Sequence, residues 1–218
     1  MGEICARPSL KPLTPSQVMP AVNSLSAYCQ ALNQGSIVAL PTDTVWGLAC
    51  LPAYADRLYA LKRRSPDKSL ILMGADAADL WPYSQGNTAD MASWQQLAQQ
   101  HWPGQLTLIL PSSARVPLVM HPHTPTTLGM RVPDHPLARR ILRDTGPLAT
   151  TSANLSGQPP LEDLGQVLAQ FPEVVGLDAA VAADLAPPAA PASGQPSTVV
   201  RWQPPGWEVI RQGAIRLP

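Results

Sequence analysis

The run Ser36-Ile-Val-Ala-Leu40, followed by Pro41-Thr-Asp-Thr44 and Val45-Trp-Gly-Leu-Ala-Cys50, decides how the chain is read. Its first five residues are a short apolar stretch closed by proline, the pattern of a buried strand ending at a loop. Upstream, Thr14 or Ser16 can cap a helix whose apolar positions Val18, Val22, Leu25, Tyr28, Cys29 and Leu32 follow helical spacing, with Gly35 as its stop. Downstream, 53–64 is helical in pattern, with Leu58 and Leu61 inward. Strands are then expected at 70–73, 106–110, 148–150, 197–202 and 207–211, and helices at 88–101, 135–145 and 161–171. Such alternation means an α/β fold. The last two strands, joined through Gln203-Pro-Pro-Gly206, read as antiparallel neighbours, so the sheet is expected to be mixed parallel and antiparallel. No repeat period is visible.

A chain of 218 residues is long enough for a substantial core, and a single domain over 1–218 is the expectation. Hydrophobic residues make up 45% and charged residues 14%, ordinary for a packed globule, while 26 prolines against one phenylalanine imply many turns. Cys5, Cys29 and Cys50 are odd in number and lack CxxC spacing, which fits reduced thiols in a cytoplasmic protein. The N-terminal residues show no cationic segment followed by an apolar core, and no apolar run reaches bilayer length, so a soluble protein with no membrane partner is expected. The segment 179–196 is nearly all Ala, Pro, Gly and Ser, and reads as a mobile surface loop within the domain. Because it leads into Ser197 and Thr198, it is either a lid over a site or a plain spacer.

Charge is spread unevenly. The formal net charge is zero, yet 57–68 holds two of the three lysines and three of the twelve arginines. A neutral chain has no general attraction for nucleic acid or membrane, so this cluster suits one compact polyanion such as a nucleoside triphosphate, unless it is simply a solvated helix end. No GxSxG elbow, HExxH helix or glycine-rich phosphate loop is present. His121 and His123 lie two apart with no third ligand at useful spacing, and His135 follows a turn, so no protein metal site is expected. What remains is a set of hydroxyl and cationic residues at segment ends: Thr42, Thr44, Lys62, Arg64, Lys68, Thr107, Arg131, Thr150 to Ser152, Asn154, Ser156, Ser197, Thr198 and Arg211. Singly each has a structural explanation, since Thr is common in strands, Ser and Asn cap helices and Arg covers apolar surface. Jointly they are a set that binds anions.

At these residues the chain resembles the YrdC-like threonylcarbamoyl-AMP synthase family. The motifs, in order, are LPTDTVWGL (from Leu40), KRRSPDKSL (from Lys62), WPGQLTLIL (from Trp102), MRVPDHP (from Met130), TTSANLSG (from Thr150), GQPSTVV (from Gly194) and VIRQGAI (from Val209). The resemblance spans nearly the whole chain and implies a single YrdC-like domain of the short, TsaC-type form, with a twisted open mixed sheet flanked by helices. It implies that Thr44, Arg131, Thr150 and Ser197 hold threonine, that Lys62, Arg64, Lys68, Thr107, Ser152, Asn154 and Arg211 hold ATP, and that Lys62 and Arg64 act in catalysis. Two departures stand out: Trp46 replaces the usual Tyr or Phe, and Met73 stands where many relatives have a histidine. Met73 is either a wall for the substrate methyl group or core in the LILM strand.

The reaction so implied joins the threonine amine to carbon dioxide or bicarbonate and transfers the carbamate to the α-phosphorus of ATP with loss of pyrophosphate, for N6-threonylcarbamoyladenosine in tRNA. Such transfers need in-line positioning and charge neutralisation more than acid–base groups. Mg2+ is expected to arrive with ATP, without a dedicated carboxylate cage; Asp43 is the nearest acidic residue. Downstream partners would be the proteins that pass the threonylcarbamoyl group to tRNA. The alternative class is a double-stranded RNA binding module of the same fold, against which stand the zero net charge and the scattered tryptophans. A catalytically idle relative is a third reading, opposed by the intact basic and hydroxyl set.

Overall fold

The mixed α/β sheet is present in the computed structural model, which describes residues 21–65, 67–120, 122, 126–155 and 157–217. In chain order these residues form α1 (Leu25–Asn33), β1 (Val38–Leu40), β2 (Gly47–Cys50), α2 (Ala55–Lys62), β3 (Ile71–Met73), α3 (Ala77–Leu80), α4 (Thr88–His101), β4 (Leu106–Pro111), β5 (Thr127–Arg131), α5 (Pro136–Thr145), β6 (Leu148–Ser152), α6 (Leu164–Gln170), α7 (Ala179–Leu185), β7 (Thr198–Gln203) and β8 (Gly206–Arg211). The strands join one sheet in the order β1-β2-β6-β3-β5-β4-β7-β8. The β3–β5 and β4–β7 pairs are parallel and the other neighbours antiparallel.

Local chemistry sets the helix ends. α4 starts at a capping box in which Asn87 accepts from the Asp90 N–H at 2.9 Å and Asp90 accepts from the Asn87 N–H at 3.3 Å. α5 has Pro136 in its first turn and stops at Gly146, whose φ of +77° is costly for other residues. His135 is its N-cap, with Nδ1 accepting from the Ala138 N–H at 3.4 Å.

Alternation along the strands divides the core in two. One face carries Leu48, Cys50, Leu72, Ala149, Leu108, Met130 and Val200 against α2, α4 and α6. The other carries Val38, Leu40, Ala49, Met73 and Leu148 against Tyr28 and Leu32 of α1 and Leu137, Ala138, Ile141 and Leu142 of α5. Trp94 is fully buried and meets Trp202 edge-on at 6.3 Å, tying α4 to β7.

Several expectations need correction. The first described helix begins at Ser24, which caps it by accepting from the Ala27 N–H, while Val22 is extended and bridges Leu177; Thr14, Ser16 and Val18 lie outside the described residues, as do Cys5, His121, His123 and Ser156. The third late helix starts at Leu164 because Asp163, not an earlier residue, supplies the cap to Gln166 N–H at 2.8 Å. The 179–196 segment is not all loop: Ala179–Leu185 is helical, capped by Asp178, and packs Val181, Ala182 and Leu185 on the second cluster. β5 was not expected as a strand at all, and α3 was likewise missed.

The C-terminal stretch closes tightly on the start of β7. A Cβ added to Gly213 would lie 2.5 Å from Thr198 N and 2.7 Å from Ser197 C, all backbone that cannot swing away. Gly213→Ala is therefore expected to cost about 1 kcal/mol or more and to displace Ser197, read as a lowered Tm together with weakened ligand binding.

Candidate functional site

Directly paired residues project from the same face of a sheet. The register links Gly47 to Ser152, Ala49 to Thr150, Thr150 to Ile71, Met73 to Arg131, Thr107 to Val199 and Val199 to Arg211. These belong to the face that α1 and α5 cover only in part. Where that cover ends, a cleft of about 300 Å³ opens. Its wall includes Thr44, Arg64, Arg131, Thr150, Ser152, Asn154, Ser197 and Arg211, eight of the eleven expected site residues, although they are scattered over six segments. Lys62, Lys68 and Thr107 are not on the wall. Met73 is on it and also packs in the second core cluster.

Arg131, the last residue of β5, is buried. Its Nε donates to the Gly104 carbonyl at 2.9 Å, Nη1 to Thr44 Oγ1 at 2.8 Å and Nη2 to Asp43 Oδ1 at 2.6 Å. Burial pulls the guanidinium pKa down and Asp43 pushes it back up. The expected fork for a carboxylate is thus partly committed inside the protein, leaving one N–H on each terminal nitrogen for a ligand. Asp43 Oδ2 is buried with no hydrogen-bond partner among the described residues.

Lys62, at the end of α2, sits behind the wall. Its Nζ donates to Ser152 O at 2.5 Å, to Thr151 Oγ1 and Asn154 Oδ1 at 3.2 Å each, and reaches Ser152 Oγ at 3.5 Å. Burial first, then Arg64 and Lys68, lower its pKa to about 7. Asn154 also receives the Ser152 hydroxyl at 2.5 Å and donates to Gln158 O at 2.6 Å, so Lys62 orients the Ser152 and Asn154 side chains that do reach the cleft. The chain turns after α2 because Arg63 adopts a left-handed conformation (φ 47°), which sends Arg64 back over the cleft. There Arg64 donates from Nε to Lys68 O at 2.8 Å and from Nη2 to Ser69 O at 3.0 Å, while the Lys68 side chain is exposed. Thr107 acts through Ser197: their hydroxyls are 2.8 Å apart, and Arg211 clamps Ser197 by donating to its carbonyl at 2.9 and 3.1 Å.

Sequence reasoning missed Gln158, Pro160 and Pro196 as wall residues, and their types give no chemical signal. Trp46 lies on the wall with its indole N–H fixed to Glu162 O at 3.1 Å. The segment after α7 reaches the same place: Ser193 N–H donates to Asp43 O at 3.1 Å and Gly194 N–H to Thr44 O at 2.9 Å, just before Pro196 and Ser197 enter the wall. Among the described residues no carboxylate lines the cleft, and no group of three or more His, Cys, Asp or Glu residues is placed to hold a metal ion. Asp43, the acidic residue nearest the site, is held by Arg131. No described helix is long and apolar enough to cross a membrane.

The Sua5/YciO/YrdC family model, which carries the description "Telomere recombination", matches residues 30–213. The chain belongs to that family. It is 42% identical over 152 residues to a protein from Chromohalobacter salexigens named threonylcarbamoyl-AMP synthase, a match covering 67% of this chain and 80% of that one. Among solved structures, P. abyssi Sua5 complexed with L-threonine aligns with a TM-score of 0.75 at 27% identity over 87% of this chain, which spans 54% of that protein's length. E. coli YciO aligns with a TM-score of 0.72 at 22% identity, over 87% of this chain and 89% of the other, a likeness of fold.

Proposed function

We propose that this chain is a threonylcarbamoyl-AMP synthase, a nucleotidyltransferase that uses L-threonine, bicarbonate or carbon dioxide, and ATP. The observation that carries the reading is the composition of the cleft, in which guanidinium, hydroxyl and amide groups converge on a space with no carboxylate among the described residues of its wall. Such a wall favours two anionic ligands, a triphosphate and an amino-acid carboxylate. The naming of its relatives and the threonine-bound P. abyssi structure support the same assignment.

In this account Thr44, Arg131, Thr150 and Ser197 hold threonine, its carboxylate on the free N–H groups of Arg131. Arg64, Ser152, Asn154 and Arg211 hold the phosphates, Lys62 fixes Ser152 and Asn154 from behind and adds buried positive charge, and Lys68 and Thr107 support Arg64 and Ser197. The carbamate oxygen attacks the α-phosphorus as the bond to the pyrophosphate oxygen breaks. Arg64 and Lys62 neutralise the charge that gathers on the leaving and non-bridging oxygens. Mg2+ arriving with ATP would supply further charge neutralisation, toward which the described residues of the wall, Thr44, Ser152 and Asn154 among them, offer only neutral oxygens. The product goes to cytoplasmic proteins that transfer the threonylcarbamoyl group to tRNA. The test is product identification: mass spectrometry of a reaction with ATP, L-threonine and bicarbonate should show the threonylcarbamoyl adenylate, and formation of AMP alone would refute the reading.

Lys62 gives the site a pH signature. With its pKa lowered to about 7, it is largely neutral at pH 8 in the free protein. A triphosphate favours the charged form, so ATP binding is expected to take up a proton between pH 7 and 9, and affinity to fall as pH rises through that window. Calorimetry in buffers of different ionisation enthalpy reads the uptake directly; Lys62→Met should remove it.

The segment 186–196 has two backbone anchors near the cleft, on Asp43 and Thr44. It is expected to behave as a lid, with proteolysis slowed when ATP and threonine are both bound. Equal cleavage rates in free and bound protein would make it a spacer.

A further inference from the structure

We infer that the cavity between α4 and the Trp81–Trp102 pair is a second binding site, distinct from the cleft, and that its ligand is an uncharged nucleobase, either of a free nucleoside or unpaired in a nucleic-acid strand. The inference stands apart from the synthase reading above.

The cavity measures about 470 Å³, within the size range of small-ligand sites, and its wall shares no residue with that of the cleft. Two of its wall residues are tryptophans. Trp81 and Trp102 stack with ring centroids 5.7 Å apart and planes 25° from parallel. Trp102 is buried and fixed by its indole N–H, which donates to the Leu106 carbonyl at 2.7 Å. Trp81, partly exposed, is held against this rigid partner, an ordered platform on which a flat ring can stack with little further ordering of the protein.

The polar groups select among flat ligands. Gln95 and Gln99 are four residues apart on α4, so they stand one turn apart on one side of the helix, and both line the cavity. Neither amide, nor the Trp81 indole N–H, is engaged by another described residue. Each amide carries an oxygen acceptor beside an NH2 donor. That pair is the complement of a base edge with a donor beside an acceptor, such as the exocyclic N–H and N7 of adenine. A hydrocarbon ring would leave these groups desolvated and unpaired.

Charge narrows the class further. Among the described residues Asp76 is the only charged residue on the wall. Its carboxylate is already occupied: Oδ1 accepts from Arg139 Nη2 at 2.5 Å, and Oδ2 lies 3.8 Å from Arg143 Nε. A cationic ligand therefore meets a carboxylate that is already paired, and an anion meets no cation on the wall. The exposed residues in the second half of α4, Gln95, Gln96, Gln99 and Gln100, are uncharged as well. Nothing there steers a polyanion, so recognition rests on the base itself.

The experiment follows the tryptophan indole N–H signals by nuclear magnetic resonance, because Trp46 reports on the cleft while Trp81 and Trp102 report on the second cavity. Adenosine, a single-stranded oligoadenylate and toluene are titrated into the unaltered protein, Gln95→Ala/Gln99→Ala, Trp81→Phe and Trp81→Ala, the last two read through Trp102. Adenosine should move the Trp81 and Trp102 signals along one saturating curve. The two glutamines are exposed, so their replacement should leave folding intact and weaken adenosine by about tenfold or more. Trp81→Ala should weaken it by a similar factor, and Trp81→Phe should retain it within about threefold; if Trp81→Ala does not fold, the glutamine variant decides alone. Tighter binding of oligoadenylate per base assigns the site to a strand, and the reverse assigns it to a free nucleoside. The inference is overturned by shifts confined to Trp46, by no shift of Trp81 and Trp102 up to the solubility of adenosine, by adenosine affinity unchanged without the glutamines, or by toluene binding as tightly as adenosine.

Discussion

Arg131→Met is expected to destabilise the protein by about 3–5 kcal/mol, the cost of leaving one partner of a buried ion pair without the other. Asp43 would keep one oxygen already without a hydrogen-bond partner among the described residues and lose the 2.6 Å contact of the other. Thr44 would lose its donor, and the Gly104 carbonyl the Nε hydrogen bond. Because these groups anchor both the Pro41–Thr44 turn and the loop after α4, threonine binding should vanish with the stability. The measurement is denaturant unfolding of the single variants and of Asp43→Asn/Arg131→Met. The double variant should recover part of the loss, because the uncompensated charge is gone. Additive losses would mean that Arg131 and Asp43 do not depend on each other.

Arg64→Ala should separate the two halves of the cleft. Among the described residues Arg64 is anchored to the Lys68 and Ser69 carbonyls, and it reaches the wall, so its removal is expected to cost little stability. ATP affinity should fall by about 1.5–3 kcal/mol, the value of a charge-assisted contact, while threonine affinity stays within a factor of two. Unchanged ATP affinity by calorimetry would remove Arg64 from the phosphate site.

What could be read from the sequence was what is settled locally. The expected helix over 88–101 matches α4, whose Asn87–Asp90 capping box lies within four positions of the helix start. β5 was not expected, because Thr127–Arg131 is short and contains Gly129, and it is held by β3 and β4, whose residues are remote in sequence. α7 was hidden in an alanine and proline run, since its cap, Asp178, lies one residue outside the stretch that looked unstructured. At the site, the motifs located Thr44, Arg131 and Ser197, which share one wall. They could not tell that Lys62 faces backward onto Ser152 and Asn154, or that Arg131 is already paired with Asp43, because both facts depend on contacts across 88 to 92 residues of chain. Residue type identifies a cation; only tertiary packing says how much of it is left for a ligand.

The central claim is that one cleft joins three substrates. Pyrophosphate release is its most direct readout: purified protein should release pyrophosphate when ATP, L-threonine and bicarbonate are supplied together with Mg2+. Omission of any one of the three substrates should abolish it. Release that persists without threonine or without bicarbonate, or no release from the complete mixture, would contradict the account.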